Sequence, residues 1–265
     1  DIALDAYRIE SASAERQAAL AATYQTGYRI AMIWAGAGVL WLVALTLRPG
    51  VEGAYELSAW RLAYCAMAAS MLVGVATVLL SPEPAARPMA PARNLAQWLQ
   101  EALVAPFADF VQRYGWHAML ILALIGIYRI SDVVMGIMAN PFYVDMGYSE
   151  AEVASVSKVF GVIMTLAGAF VGGVISMRIG VMRVLMLGAV LSAASNLLFA
   201  WLATQGHDLY GLIFVVSADN LAGGIASAAF IAYLSSLTNV SYSATQYALF
   251  SSMMMLLPKW LAGFS

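Results

Sequence analysis

Residues 209–237 read LYGLIFVVSADNLAGGIASAAFIAYLSSL. Apart from small hydroxyls, Asn220 and one charge at Asp219, the stretch is apolar or glycine from end to end. A helix needs about 20 mostly apolar residues to cross the hydrocarbon of a bilayer, so this stretch is long enough to span one. Outward from it the same texture repeats. Candidate spans run over Val184–Ala203, Glu152–Met177, Trp116–Met138, Ala59–Leu80 and Ala18–Leu47. Another begins near Ala244 and is still running at Ser265, and Asp1–Tyr7 reads as the tail of one more. The expected fold is an all-α, polytopic membrane helix bundle.

Composition agrees. Of the residues, 62% are hydrophobic and 11% charged, against about 25% charged in soluble domains. A single cysteine, Cys65, excludes an internal disulfide and a cysteine-based zinc site. His117 and His207 lie near helix ends and far apart, as interfacial residues do, so no metal site is expected. No basic run points to nucleic acid. The chain opens with Asp1 rather than Met and has no leader pattern, so it reads as a piece truncated at both ends.

Gly168-Ala-Phe-Val-Gly172 has the small-xxx-small spacing of close helix contacts, although glycine also occurs in membrane helices without that role. Ser149-Glu-Ala-Glu152 and Ser243-Ala-Thr-Gln246 have capping-box spacing ahead of apolar runs. Pro82, Pro84, Pro88 and Pro91 crowd one linker. Beyond it, Leu95, Trp98, Leu99, Ala102, Leu103, Phe107, Phe110 and Val111 recur at helical spacing, with Gln97, Gln100, Glu101 and Asp109 off the stripe. This segment is expected on the membrane surface, or packed on the bundle, with Pro106 breaking it into two short helices. The division expected is residues 1–80 as the remainder of an N-terminal half, 81–114 as a cytoplasmic linker, and 115–265 as a C-terminal half. Transporters commonly place a central site between two such halves. Lysine and arginine counts support that orientation: Arg8, Arg16, Arg87, Arg93, Arg113, Arg178 and Arg183 fall on the linker side, Arg48 and Arg61 opposite. The short loops around Asp145 and Asp208 then lie outside.

A charge at mid-membrane costs about 2.5–3.5 kcal/mol on insertion scales, so each needs a reason. Asp1 and Asp5 share a helix face, and with Arg8 close to water they face only Arg29. One carboxylate is left without a partner, as a proton carrier requires; the alternative is that both only cap the helix tail. In the second half Arg129 and Lys158 balance Asp132 and Asp219, either as salt bridges or as a polar cavity wall. Asn220 and Gly223-Gly224 add amide hydrogen bonding and room for a ligand, and Lys259 after Pro258 marks a kink or another such charge. Tyr28, Trp34, Tyr128 and Tyr233 have rings that can stack on a sugar, though such rings are common in membrane proteins. No H-E-x-x-H, G-x-S-x-G or G-x-x-x-x-G-K-[ST] occurs. Neither an enzyme nor a cofactor is indicated, and transport would draw on an ion gradient.

Asp-Ile-Ala-Leu-Asp-Ala-Tyr-Arg at 1–8 resembles the D-I-x-x-D-A signature ending the fourth helix of AmpG-type muropeptide permeases, within the major facilitator superfamily. The resemblance continues through Glu15-Arg16, Gly27-Tyr-Arg29, Ser81-Pro-Glu-Pro84, Val104–Asp109, Tyr128–Asp132, Ser195-Asn196 and Asp219–Gly224. Ser243-Ala-Thr-Gln-Tyr-Ala248 resembles the S-A-T-Q-F-A run opening the eleventh helix. It implies a proton-driven importer of N-acetylglucosaminyl-1,6-anhydro-N-acetylmuramyl peptides in the bacterial inner membrane. Such an importer serves cell-wall recycling and, through it, β-lactamase induction. It implies proton coupling at Asp1 and Asp5. Arg29, Arg129, Asp132, Lys158, Asp219, Asn220, Tyr28 and Tyr128 are the candidates for the substrate cavity. The partners expected are the muropeptide, protons and lipid, with the protein acting as a monomer. The alternatives are a related facilitator for acetyl-coenzyme A, a sugar or a peptide, and a membrane sensor that transports nothing.

Overall fold

The computed structural model describes residues 2–13, 16–46, 56–84 and 94–263. Asp1, Glu15, Arg48, Arg87, Pro88, Pro91 and Arg93, all used above, lie outside them. Six helical segments are long and apolar enough to cross a membrane: Gln17–Thr46, Leu57–Leu80, His117–Asp145, Glu150–Ile179, Val181–Leu202 and Leu209–Leu237. These are the six expected full spans, with the third running past Met138 to Asp145. The described residues fall into two compact units, one comprising Asp1–Gln25 and Arg87–Ser265, the other Thr26–Ala86.

Within the smaller unit, α2 (Gln17–Ile33, begun in the larger unit) passes through a π turn at Trp34–Gly38 into α3 (Val39–Thr46). The latter packs on α4 (Leu57–Leu80) through Val39, Val43, Ala59 and Ala63. The far end of α4 shows Val73, Val78, Leu79 and Leu80 uncovered. Such a surface is stable against lipid and not against water.

The larger unit begins with α1 (Ile2–Glu10) and, past the linker, α5 (Leu95–Leu99), a π turn at Gln100–Val104 and α6 (Ala105–Tyr114). Helix runs unbroken from Leu95 to Tyr114, so Pro106 does not split it as expected. The π turn lets Ala105 N–H reach back to Gln100 O, five residues earlier. That wider turn precedes the proline at the first positions of α6, where its missing N–H leaves no intrahelical bond unmade. Next come α7 (His117–Tyr128), α8 (Ile130–Asp145), α9 (Glu150–Ser155), a π turn at Val156–Gly161 and α10 (Val162–Ile179). Last are α11 (Val181–Leu202), α12 (Leu209–Leu237) and α13 (Ser243–Ala262).

The expected capping box at Ser149 is formed: Glu152 N–H donates to Ser149 Oγ at 3.3 Å, and Ser149 N–H to Glu152 Oε2 at 2.9 Å. The one expected at Ser243 is not. A 3-10 turn, Val240–Tyr242, precedes α13, so Ser243 is already helical and its hydroxyl donates to Glu10 of α1. Gln246 instead turns away into a buried network described below. The loops around Asp145 and Asp208 meet at the opposite end, where Tyr148 Oη donates to Asp208 O at 2.9 Å.

α12 is the most enclosed span, and glycines set its distance from α10. A Cβ on Gly168 would fall 2.2 Å from Leu221 O, and one on Gly172 2.8 Å from Ile225 Cα. The Gly168–Gly172 stripe is therefore a helix contact, made against Leu221, Gly224 and Ile225.

Candidate functional site

The register of α12 sorts its polar residues onto two faces, because residues four apart lie one above the other. Asn220 and Gly224 face α10. Asn220 Oδ1 accepts from Thr165 Oγ1 at 3.0 Å and its Nδ2 donates to Val216 O at 2.8 Å. Both ends of this amide are thus engaged, the oxygen by α10 and the nitrogen by the preceding turn of α12 itself, a role the expectation of a cavity residue did not include. Gly224, expected to leave room for a ligand, abuts the backbone of Thr165 and Ala169. Gly223 alone of the pair looks onto open space.

Asp219, Gly223 and Ser227 form the other face. Asp219 Oδ1 accepts from Ser195 Oγ of α11 at 2.8 Å. Ser227 Oγ accepts from Arg129 Nη1 at 2.8 Å. Arg129 stands in the break between α7 and α8, at φ −98 and ψ 2, and its Nε lies 3.5 Å from Asp132 Oδ2. Alongside, Asn196 Nδ2 donates to Ser131 Oγ at 2.6 Å. Arg129 and Asp132 thus pair, Asp219 lies on the same face of α12 as the Ser227 that Arg129 reaches, and Ser131, Ser195 and Asn196 add hydrogen-bonding groups between these helices. Serines at these positions carry no distinguishing signal in a sequence; only the partners across the helices reveal them.

Lys158 is not brought in. It is exposed on the π turn and forms no ion pair among the described residues. One guanidinium, Arg129, is therefore set against two carboxylates, Asp132 and Asp219. The even balance read from the sequence does not hold.

Tyr128 is also otherwise occupied. Its hydroxyl donates to Leu185 O at 2.9 Å and its ring stacks on Phe230 at 4.6 Å. Tyr233 is buried in the same core cluster. Tyr28, Arg29 and Trp34 belong to the smaller unit. Tyr28 and Trp34 are exposed, and Arg29 has a buried Nε without a hydrogen-bond partner among the described residues.

At α1 the structure corrects the sequence reading. Arg8, expected near water, is only 6% exposed, with its Nη2 3.6 Å from Asp5 Oδ1 and its Nη1 donating to Gln17 Oε1 at 3.4 Å. Its guanidinium lies over the ring of Tyr247 at 5.3 Å and near that of Tyr24 at 5.9 Å. Three residues apart, Asp5 and Arg8 meet on one helix face. Asp5 thus has a cation on its own helix.

At the linker end, Arg113 Nε donates to Asp109 Oδ2 at 2.9 Å, its Nη1 to Leu237 O at 3.0 Å and its Nη2 to Gln246 Oε1 at 3.0 Å. Gln246 Nε2 donates to Pro106 O at 2.8 Å and to Asp109 Oδ2 at 2.9 Å, and Asn239 Nδ2 to Asp109 Oδ1 at 2.9 Å. Burial would push the Asp109 carboxyl up, but donors from Gln246, Asn239 and Arg113 outweigh it and hold it below 3.8. A depressed carboxylate contributes stability that is complete above its unfolded value and is lost as pH falls through the folded value. Thermal melting should therefore show the contribution of Asp109 intact down to about pH 4 and fading below it. Asp109→Asn should melt lower than wild type at neutral pH, with the gap closing under strong acid. Gln246→Ala strands several buried partners and should cost about 2–3 kcal/mol, measured by denaturation in detergent.

Residues 2–258 match the sequence model of the Major Facilitator Superfamily, and the chain belongs to that superfamily, one of multi-pass membrane transporters rather than enzymes. Among curated relatives it is similar to "Putative transporter AmpG 4" of Rickettsia conorii, with 32% identity over 95% of this chain and 58% of the relative. It is 35% identical to the "Anhydromuropeptide permease" of Escherichia coli K12, over 96% of this chain and 48% of that protein. With "Putative transporter AmpG 3" of Rickettsia typhi it shares 26% over 95% and 58%. The chain spans about half the length of the curated relatives it matches.

Proposed function

We propose that this chain is part of a proton-coupled importer of anhydro-muropeptides across the bacterial inner membrane, serving cell-wall recycling. Within that importer we assign residues 1–80 to the remainder of one half, 81–114 to a cytoplasmic linker and 115–265 to the other half. Similarity to a protein named anhydromuropeptide permease runs through nearly the whole chain. The observation that carries the reading is the polar cluster of Arg129, Asp132, Ser195, Asp219 and Ser227. It is built on separate spanning helices where each charge needs a functional reason. Hydroxyls, carboxylates and one guanidinium suit a sugar–peptide, whose own hydroxyls and amides donate and accept. A polyanion such as acetyl-coenzyme A fits less well, because the two carboxylates outnumber the cation.

We assign coupling to Asp5, with Asp1 four residues earlier in the sequence as its companion, and substrate contact to Arg129, Asp132 and Asp219. The same reading predicts altered β-lactamase induction when import fails, and a protein working as a monomer.

The complete protein, reconstituted in vesicles, should take up labelled anhydro-muropeptide when an inward proton gradient is applied. Arg129→Gln should lose most of that uptake while the protein still folds. Absence of muropeptide uptake under any gradient would overturn the substrate; uptake indifferent to the gradient would overturn the coupling. Screening the same vesicles against acetyl-coenzyme A, sugars and peptides separates the alternatives.

A further inference from the structure

The helical segment Leu95–Tyr114 has two faces with different employment. Two of its polar residues are used inside the protein: Asp109 and Arg113 are tied to Asn239, Gln246 and Leu237 at the turn between α12 and α13. Phe110 anchors the same side against Phe250, ring centroids 5.0 Å apart. The apolar stripe is left outside. Leu95, Leu99, Leu103, Phe107 and Val111, spaced every fourth residue, are all exposed, and Trp98 and Val104 flank them.

A uniform α-helix gains angle with each four-residue step, so such a stripe would wind around it. The π turn at Gln100–Val104 turns through less angle per residue and brings Leu103 and Phe107 back into line with Leu95 and Leu99. Seven large apolar side chains then share one side, and water is the wrong solvent for it. The stripe is also continuous with the lipid-facing surface. Chain passes directly from Tyr114 through Gly115, at φ 53, into α7, whose opening residues Trp116, Met119 and Leu120 are likewise exposed.

We infer that the Leu95–Tyr114 helix is an interfacial strut. Its apolar stripe is seated in the bilayer leaflet at the linker end, and its polar face is pinned through Gln246 to the α12–α13 turn. The occupant of the stripe is lipid, at the boundary of headgroups and acyl chains. Arg113 is the only cation among the described residues of this segment and is already engaged. Seating is therefore apolar and insensitive to salt, unlike a polybasic contact.

The test uses the complete protein with Cys65, an exposed free thiol, replaced by Ala. Leu99→Cys, Leu103→Cys, Phe107→Cys, Gln100→Cys and Gln112→Cys, one at a time, are nitroxide-labelled in lipid vesicles. Collision with oxygen, which concentrates in lipid, is compared with collision with a water-soluble nickel chelate. Positions 99, 103 and 107 should show an oxygen-to-nickel ratio several-fold above that at 100 and 112, unchanged between low and high salt. Nickel access at 103 and 107 equal to that at 100 and 112 would place the stripe in water and overturn the inference. Shielding from both reagents would mean protein, or a second copy, covers it, and would also overturn it. None of these readouts depends on which solute is transported.

Discussion

Asp5→Asn is expected to reduce proton-gradient-driven accumulation of anhydro-muropeptide to the level of protein-free vesicles. Exchange of labelled for unlabelled substrate across the same membrane should survive. The argument starts from position. Asp5 is buried, 9% exposed, and Arg8 is its ion-pair partner at 3.6 Å. A carboxylate held this way can neutralise and recharge only if its cation changes company at the same time. Arg8 has that company at hand in the face of Tyr247, on α13. Removing one partner of a buried pair typically costs about 3–5 kcal/mol through the charge left behind, so lost transport needs separating from lost stability. Asp5→Asn with Arg8→Gln removes both charges and should recover much of the melting temperature without recovering accumulation. Recovery of accumulation in that double variant would refute Asp5 as the proton carrier. Wild-type accumulation by Asp5→Asn alone would do the same more directly.

A second large effect is structural. Gly224→Val should prevent stable folding, whereas Gly223→Val, one residue away, should leave the melting temperature nearly unchanged. A Cβ on Gly224 falls 2.4 Å from Thr165 O and 2.8 Å from Ala169 N, both backbone atoms that cannot swing aside. Overpacking a core usually costs about 1–3 kcal/mol; here two spans would have to separate along the Gly168–Gly224 contact, and the cost should exceed that range. Gly223 meets nothing within 4 Å. It shares a face with Asp219 and Ser227, so Gly223→Val should instead impede substrate. Equal melting of the two variants would refute the assignment of these faces.

Much of this was legible in the residues. Five of the six spans were placed to within three residues at each end, because hydrophobicity is summed over a local window and needs no knowledge of neighbours. The pairing of Arg129 with Asp132 was legible for the same reason, since three residues on one helix fix the distance. The capping box at Ser149 is local too. The one at Ser243 failed because Asn239 and the 3-10 turn took over the start of α13, and Gln246 found better partners in Asp109, Asn239 and Arg113.

Sequence alone determined the membrane-spanning, all-helical character of this protein, its family and the short roll of charges that must be accounted for. Tertiary structure decided what each charge is for. Whether Arg8 faces water or Asp5, whether Lys158 or a serine hydroxyl stands by Asp219, and whether Asn220 holds a helix or is free all depend on neighbours far away in the chain. Their phase is set by π turns and by glycine contacts between spans. Hydropathy is additive along a segment, whereas an ion pair or hydrogen bond exists only where two backbones bring its atoms within about 3–4 Å. Packing alone supplies that condition.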